Sequence, residues 1–360
     1  MPQIRAAICH AFGQPLTVET VDLRAPGPGE VEVTLDACAI CYSDISYIDG
    51  GWGGALPAVY GHEAAGRVSA TGPGVVAYAP GDPVLVTLIR ACGTCAPCAT
   101  GRPVHCATPP GTESPLSWNG KPLKQGLNCG AFAERVVVQS SQLASLPAGI
   151  PMEAAALLSC GAITGLGAAV NTARIRPGEV VTVIGAGGVG LNAIQGARLA
   201  GAARIIAVDM NAEKLATAIE FGATDGVLAT NPKPWTEAKR FAGRGADAVL
   251  VTVGAIPAYD TAPRFLAPGG RMVAVGMPHS GATSAYEPVI LAATGQSMTG
   301  SLMGDTVLAR DIPWITDLYA QGRLKLDELI SGRFSLDEIN EAIADTRAGK
   351  ARRNVLVLGG

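Results

Sequence analysis

Four cysteines lie within one short segment, and their spacing is typical of a metal site. They are Cys92, Cys95, Cys98 and Cys106, with two residues in each of the first two gaps and seven in the last. Four thiolates so spaced suit a closed tetrahedral Zn²⁺ site, whose role is structural because no coordination position stays open. An iron–sulfur cluster and disulfides are the alternatives. The long last gap and the lack of a second cluster motif in the sequence disfavour iron and sulfur.

A second group of metal-ligand side chains is dispersed along the chain. Cys41 precedes Tyr42-Ser43-Asp44, His62 and Glu63 follow a glycine, and Cys160 ends a leucine-containing run. Each also suits an ordinary buried position, since cysteine is often a small core side chain. Spacing alone therefore neither establishes nor excludes a metal site formed jointly by these residues.

A glycine-rich turn predicts a dinucleotide site. The apolar run 180–184 predicts a strand, and a helical stretch follows the turn Gly185-Ala186-Gly187-Gly188-Val189-Gly190. These glycines allow the backbone to approach a pyrophosphate, and the helix N-terminus presents free N–H groups. Asp209 ends the next predicted strand, where a carboxylate binds ribose hydroxyls and repels a 2′-phosphate. We therefore expect NAD rather than NADP, with Lys214 helping to hold the ribose; a glycine turn in an unrelated α/β domain is the alternative.

The elements that position these groups fall into two patterns. The first third has short runs rich in β-branched residues, separated by glycine and proline turns, which predict a barrel-like β unit. From about residue 150 strands alternate with helices, which predicts βαβ units and a parallel sheet. The fold class is therefore α/β plus β, in two domains.

Composition excludes several classes of protein. The 360 residues carry a net charge of −3, which disfavours a nucleic-acid partner. Nine cysteines are too sparse for a disulfide scaffold and suit a reducing cytoplasm. The N-terminus lacks the features of a signal peptide. The uncharged stretch 180–197 is better explained by a strand, a glycine turn and a buried helix than by a membrane span.

The sequence resembles the zinc-dependent medium-chain alcohol dehydrogenases over essentially its whole length. The matching motifs occur in order: Gly61-His62-Glu63-Ala64-Ala65-Gly66, the four cysteines, Gly130-Ala131-Phe132-Ala133-Glu134, Cys160-Gly161, and the glycine turn with Asp209. Segments 158–167 and 171–178 are most similar to the long-chain and thiol-dependent formaldehyde dehydrogenase branch.

The resemblance implies a GroES-like β-barrel catalytic domain split around a Rossmann domain. We expect the catalytic domain at 1–160 and 304–360, with a structural zinc lobe at about 92–106. The cofactor domain then covers 161–303. Relatives are homodimers or homotetramers, often joined through edge strands of the cofactor domain, and we expect the same here.

The resemblance also implies a catalytic zinc held by Cys41, His62 and Cys160, and thus two zinc ions per subunit. Glu63 would lie behind the metal and enter its coordination sphere transiently, and Asp44 would orient His62. A substrate alcohol would lose its proton at the metal, and hydride would pass to NAD. Ser43 would receive the alcohol proton, unless it only stabilises the turn.

Two further residues are expected to contact NAD, and two positions depart from the family. Thr164 would pack on the nicotinamide, and Arg353 would bind the pyrophosphate unless it belongs to a solvated charge run. Ser46 stands where many relatives have a relay histidine, so we expect proton release through water or a changed pH profile. Tyr42 replaces a basic residue, which predicts weaker NAD binding or faster NADH release.

The substrate pocket is the part that the sequence determines least. Trp52 and Leu88 fall at positions that line the pocket in relatives, and Tyr47 is their neighbour. Trp52 either narrows the pocket toward small or flat substrates or packs in the core. From its location, we expect the loop 108–128, with Trp118, Lys121 and Lys124, to cover the site or to contact an acidic substrate.

We therefore expect an NAD-dependent alcohol dehydrogenase acting on a small-molecule alcohol or aldehyde. A dehydrogenase of a thiol–formaldehyde adduct is the second hypothesis, although no basic pattern establishes a thiol-carrier site. A non-catalytic protein that binds zinc and dinucleotide is the third.

Overall fold

The computed structural model describes residues 2–109, 113–349 and 351–359. These form two compact units, one of Met1–Cys160 with Val307–Gly360 and one of Gly161–Thr306. The sequence predicts the limits of the second unit at 161 and 303. Residues 1, 110–112, 350 and 360, which fall within the predicted domains and the predicted loop 108–128, lie outside the described residues.

The described residues form eighteen strands, which are, in chain order, β1 (Gln3–Cys9), β2 (Thr17–Leu23), β3 (Glu30–Ala39), β4 (Ala58–Val59), β5 (Glu63–Thr71), β6 (Pro83–Thr87), β7 (Leu116–Trp118), β8 (Lys121–Gln125), β9 (Arg135–Gln139), β10 (Leu143–Ser145), β11 (Val180–Ile184), β12 (Arg204–Asp209), β13 (Asp225–Leu228), β14 (Ala246–Val251), β15 (Leu266–Ala274), β16 (Ser297–Gly300), β17 (Ile330–Phe334) and β18 (Arg353–Val357). Most are short, as the closely spaced turn residues predict.

The α-helices are α1 (Tyr42–Ile48), α2 (Ala96–Ala99), α3 (Met152–Leu157), α4 (Ile163–Gly167), α5 (Gly188–Leu199), α6 (Ala212–Glu220), α7 (Pro234–Ala242), α8 (Ile256–Thr261), α9 (Pro288–Thr294), α10 (Leu308–Ala320) and α11 (Ile339–Arg347). Local signals explain several ends. The Asn211 side chain caps α6 by accepting a hydrogen bond from the Glu213 N–H, and α7 ends at Gly243, whose φ of 73° is left-handed.

The first unit is built around a closed barrel and a mixed sheet. The barrel has the order β1-β2-β7-β8-β4, and the sheet has the order β10-β6-β5-β3-β18-β17, with β9 paired to β3. A core of buried aliphatic side chains and Phe132 fills the space between the strands. The C-terminal strand β18 lies in the middle of this sheet, so the last residues of the chain belong to the same unit as the first.

The second unit is a parallel sheet of six strands in the order β13-β12-β11-β14-β15-β16. Every residue of β11, Val-Val-Thr-Val-Ile, is buried, as a central strand of a parallel sheet requires. The predicted combination of a GroES-like barrel unit and a Rossmann-like parallel sheet is confirmed.

One continuous helical segment, Met152–Thr172, is long and apolar enough by composition to cross a membrane, with a mean hydropathy of 1.5. However, 89% of the 18-residue window that has this hydropathy is buried inside the protein, as is typical of a core helix. The segment contains two π-helical turns, Leu158–Ala162 and Ala168–Thr172. Such turns occur often at functional sites, and the first of them contains Cys160.

Candidate metal and nucleotide sites

Cys41 lies at the junction of β3 and α1, where it is the N-cap residue of the helix. With seven residues, α1 is too short to be stable by itself and depends on contacts with the rest of the unit. Three of its side chains, Asp44, Ile45 and Ile48, are buried and supply such contacts. The Cys41 thiol therefore has a fixed place in the core of the unit.

His62 is oriented by Asp44, as the resemblance implies. One carboxylate oxygen of Asp44 accepts hydrogen bonds from the Gly61 N–H and from Nδ1 of His62, both at 2.9 Å. Gly61 has a φ of 92°, and a Cβ there would lie 2.5 Å from the backbone nitrogen of Phe132, so only glycine fits. The arrangement leaves Nε2 of His62 buried and without a hydrogen-bond partner among the described residues.

Cys160 is held by its neighbour Ser159. The Ser159 hydroxyl donates to the Ala64 carbonyl at 2.9 Å, and the Ser159 carbonyl accepts from the Thr87 hydroxyl at 2.6 Å. These two bonds fix the π-helical turn on β5 and β6, next to the segment that contains His62. Hydrophobic periodicity alone did not reveal this π-helical turn.

The side chains of Cys41, His62, Glu63 and Cys160 converge on one buried point. One ligand atom from each lies within 4.8 Å of the others. The hydrogen bond with Cys160 holds the pKa of Cys41 well below its usual value against the opposing effect of burial, so a thiolate forms readily. The donor set consists of two sulfurs and of Nε2 of His62, which has no hydrogen-bond partner among the described residues. Such a set fits zinc. A closed set would need a fourth donor, and Glu63 is the nearest.

Burial and charge oppose each other at His62. Burial disfavours the imidazolium, but the charge and hydrogen bond of Asp44 outweigh that effect and raise the pKa of His62 to about 10. A metal ion at Nε2 would compete with this proton, because a metal ligand must be deprotonated.

Arg353 forms a buried ion pair with Glu63, a contact that the sequence did not predict. Its Nη2 donates to Oε2 of Glu63, and only 8% of the arginine side chain and none of the glutamate is exposed. The alternative that Arg353 belongs to a solvated charge run is therefore wrong, because the guanidinium is inside the unit. The role of Arg353 toward a pyrophosphate stays a prediction.

The four cysteines of the lobe also converge. Their sulfur atoms lie within 4.8 Å of one another, all four are half-buried, and none forms a disulfide. Backbone N–H groups of Cys95 and Ala107 donate to the sulfurs of Cys92 and Cys95 at 3.3 and 3.4 Å. Hydrogen bonds from the Thr108 side chain and the Cys95 backbone lower the pKa of Cys92 to about 5. A thiolate cage of this kind fits a structural zinc ion.

The glycine turn between β11 and α5 has the predicted strand–turn–helix form. Gly187 is the N-cap of α5, and Gly188, Val189 and Gly190 form its first turn. Gly185 has a φ of 100°, and a Cβ on Gly190 would lie 1.8 Å from the Gly185 carbonyl oxygen. Nothing lies within 4 Å of a Cβ on Gly187, so this glycine leaves open space in front of the helix.

Asp209 closes the turn from the neighbouring strand. One of its carboxylate oxygens accepts from the Ala186 N–H at 2.8 Å and the other from the Asn211 N–H at 3.0 Å. Lys214 lies in the first turn of α6, half-buried. Thr164 lies in α4, nearly buried, with its hydroxyl 3.8 Å from the sulfur of Met303.

The predicted pocket residues include an aromatic cluster on and after α1. The ring of Tyr47 meets Trp52 edge-on at 5.2 Å and stacks on Tyr60 at 5.9 Å. Tyr47 and Trp52 are half-buried, whereas Tyr60, just before the Gly61-His62 segment, is buried. Leu88 directly follows β6 and packs against the same core. Tyr60 was absent from the sequence prediction because it does not fall within a motif.

Ser43 and Ser46 lie on α1, both half-buried. Residues 116–125 of the segment predicted as a loop over the site form the hairpin of β7 and β8, which are strands of the barrel. Within it the Trp118 indole donates to Oε2 of Glu19 at 2.8 Å. Lys121 and Lys124 are exposed on β8.

Comparison with known proteins identifies the class. Residues 27–148 match the alcohol dehydrogenase GroES-like domain, and residues 188–321 match the zinc-binding dehydrogenase domain. The NDMA-dependent alcohol dehydrogenase of Amycolatopsis methanolica is 34% identical over 367 residues, which cover 98% of each chain.

Two solved structures have the same fold over 99% of both chains. An alcohol dehydrogenase zinc-binding domain protein from Burkholderia ambifaria has a TM-score of 0.95 at 33% identity. The benzyl alcohol dehydrogenase of Acinetobacter calcoaceticus has a TM-score of 0.94 at 28% identity. Fold and site thus define a zinc-dependent, dinucleotide-binding oxidoreductase. The chain belongs to the zinc-dependent medium-chain alcohol dehydrogenase family, as the resemblance implies, whereas membership of the formaldehyde dehydrogenase branch stays a prediction.

Proposed function

We propose that the chain oxidises alcohols to aldehydes or ketones, and catalyses the reverse reaction, with one catalytic zinc, one structural zinc and NAD. The observation that carries the proposal is the buried donor set of Cys41, His62 and Cys160, in which Nε2 of His62 has no hydrogen-bond partner in the part of the chain that the structure describes. Zinc there would supply a Lewis acid that favours loss of the alcohol proton, and NAD would accept the hydride.

The residues around the donor set have distinct tasks. Asp44 fixes the ring of His62 through Nδ1, so that Nε2 is the ligating atom. Ser43, two residues after Cys41, would relay the hydroxyl proton of the substrate, accepting it as its own hydroxyl proton passes on. Because Ser46 cannot act as a base near neutral pH, water carries that proton onward. The ion pair with Arg353 holds Glu63 beside the site.

The preference for NAD rests on Asp209. Its carboxylate is held at the glycine turn by two backbone N–H groups, where it favours ribose hydroxyls and repels a 2′-phosphate. The name of the Amycolatopsis relative adds a second possibility, that electrons pass to an acceptor such as NDMA. Both routes are compatible with the same glycine turn.

We propose flat aromatic alcohols as the preferred substrates. Tyr47 lies one helical turn after Ser43 on α1, so its ring and that of Trp52 flank the side of the helix from which the substrate proton would be taken. Aromatic faces bind planar rings through stacked and edge contacts. The benzyl alcohol activity named for the Acinetobacter relative supports the same class.

We also propose that the chain forms a homodimer through β16. This edge strand is exposed at every position and includes Met298, and α9 has no buried residue although its sequence is largely apolar. The stretch 277–302 contains one carboxylate, Glu287, and neither lysine nor arginine, so two copies would meet without charge repulsion.

The test is a panel of alcohols assayed with NAD and, separately, with NDMA as acceptor, after the zinc content has been measured. We expect turnover of benzylic alcohols and about two zinc ions per chain. Cys41→Ala should abolish turnover, whereas Cys38→Ala, at a buried cysteine outside the donor set, should keep most of it.

Each remaining outcome has a separate meaning. Turnover with NDMA alone would contradict the NAD assignment. Turnover of formaldehyde only after addition of a thiol would favour the adduct dehydrogenase. An inactive protein that still binds two zinc ions would favour the non-catalytic alternative, and full activity of Cys41→Ala would contradict the catalytic site.

A further inference from the structure

The helix that contributes Cys41, Ser43 and Asp44 has few stabilising features of its own. α1 has seven residues, its N-cap Cys41 makes no side-chain capping bond, and its last turn has no basic residue. A helix of this length depends on contacts made from outside it. What holds its N-terminus therefore also determines where Cys41 and Asp44 lie.

The end of α11 supplies that contact. The Tyr42 hydroxyl donates a hydrogen bond to the Thr346 carbonyl at 2.9 Å. Thr346 belongs to the last turn of α11, and its carbonyl also accepts a hydrogen bond from the Gly349 N–H at 3.0 Å. The bond joins the first residue of α1 to an element 304 residues further along the chain.

A second contact joins the C-terminal end of α1 to the C-terminal end of α11. The Arg347 guanidinium forms an ion pair with Asp49, the C-cap residue of α1. Both side chains are well exposed, at 44% and 39%, so water screens their attraction. Tyr42 is itself 57% exposed, but its bond is the one that reaches the first residue of α1, next to Cys41.

We propose that Tyr42 is a positioning residue, whose hydroxyl anchors the N-terminus of α1 on α11 and so keeps Cys41 and Asp44 in place for the catalytic metal. The inference rests on the proposed zinc site and adds a residue to it. In this proposal Tyr42 acts on the metal site, whereas a basic residue at the same position would contact the cofactor. Because the Tyr42 hydroxyl is engaged with Thr346, we infer that its effect falls on the metal site.

The experiment measures zinc release to a chromogenic chelator from the intact protein. In Tyr42→Phe we expect the zinc at Cys41 to leave about fivefold faster, which corresponds to the loss of one hydrogen bond. The zinc of the four-cysteine lobe should leave at the wild-type rate, so each molecule carries its own control. Arg347→Met should change either rate less than twofold.

The matched control is Tyr78→Phe. The Tyr78 hydroxyl also donates to a backbone carbonyl, that of Leu143, at 2.9 Å, within the same unit. This variant should release both zinc ions at wild-type rates. After replacement of the catalytic zinc by cobalt, the absorption bands of the metal should shift in Tyr42→Phe and stay unchanged in Tyr78→Phe.

The outcomes separate this inference from the proposed function. A purified wild-type protein without a zinc ion at Cys41 would contradict the proposed function itself. If zinc is bound there but Tyr42→Phe releases it at the wild-type rate with an unchanged cobalt spectrum, only the positioning role is wrong. Equal acceleration at both sites would mean a general loss of stability and would also overturn it.

Discussion

At the scale of single residues, the metal site is defined by which polar atoms are satisfied and which are not. Nδ1 of His62 is engaged by Asp44, and one oxygen of Glu63 by Arg353. Oδ2 of Asp44 and Nε of Arg353 are buried without a hydrogen-bond partner among the described residues, and so are two atoms of the converging group, Nε2 of His62 and Oε1 of Glu63. Buried polar groups normally have partners, so these two atoms mark the place for a cation.

The aromatic cluster makes a prediction about specificity. Trp52→Ala should lower kcat/KM for benzyl alcohol about tenfold more than for ethanol, because only the ring of the larger substrate loses a stacking partner. Steady-state kinetics of both substrates test this, with Trp314→Ala on α10 as the control. An equal loss for both alcohols, together with a lower melting temperature, would mean that Trp52 is simply part of the core.

Local patterns predicted much of the site, and contacts between distant residues limited the rest. The glycine turn and the four-cysteine spacing each lie within a short segment, so the sequence contains the whole pattern. The pair of Glu63 and Arg353 joins residues 290 positions apart, and no local pattern indicates it. The hairpin of β7 and β8 escaped prediction for a similar reason, since its pairing with β2 and β4 depends on the closure of the barrel.

At the scale of elements, the turn between β11 and α5 uses its glycines for two different reasons. Gly190 is required by contact within the protein, since a Cβ there would collide with the Gly185 carbonyl. Gly187 has open space in front of it, which in our proposal the pyrophosphate occupies.

Two alanine variants test that difference. Gly190→Ala should disrupt the turn, so that hydrogen exchange of β11 and α5 becomes faster even without cofactor. Gly187→Ala should keep wild-type exchange but bind NADH at least tenfold more weakly, as measured by fluorescence titration. Wild-type NADH affinity in Gly187→Ala would contradict the proposed position of the pyrophosphate.

A hydrogen bond to a carboxylate stabilises the start of β11, and its contribution depends on pH. Hydrogen bonds from Arg244 lower the pKa of Asp247 below its ordinary value of 3.8, and Asp247 accepts from the Val180 N–H at 2.8 Å. A carboxyl whose folded pKa is lowered stabilises the fold fully above its unfolded pKa, and the contribution is lost as pH falls through the folded value.

Asp247→Asn should therefore destabilise the β11 segment by about 1 kcal/mol at pH 7. The difference from wild type should shrink as pH falls below 3.8, the ordinary pKa of the carboxyl. Hydrogen exchange of the 180–184 peptide in both proteins at each pH measures it. Asp225→Asn, which removes the looser ion pair with Arg204 at 3.5 Å, should have less effect. A difference that is independent of pH would contradict the role of the charge.

At the scale of the whole molecule, the second unit presents an edge that a single chain leaves open. Met298 on β16 is 40% exposed and Val289 on α9 is 71% exposed. An exposed edge strand is a template for pairing with another strand. Pairing with a second copy would extend the sheet and cover α9.

Met298→Lys should therefore shift the protein from dimer to monomer at micromolar concentration, because two lysines would face each other across the edge. Light scattering coupled to size exclusion measures the mass. The control Val76→Lys changes an apolar residue of the first unit that is 96% exposed, and it should remain dimeric. A monomeric wild type would contradict the proposal, and so would a dimeric Met298→Lys variant.

The position of β18 in the middle of the first sheet has a consequence for how the protein is made. β3 leads into Cys41, and one of its three partner strands is β18, which contributes Arg353. During synthesis, all the ligand residues up to Cys160 emerge long before that strand, and the parallel sheet of the second unit can form in between. Glu63 therefore gains its buried partner Arg353 only after the second unit has been synthesised, so a product truncated before β18 would have every proposed metal ligand but lack this ion pair.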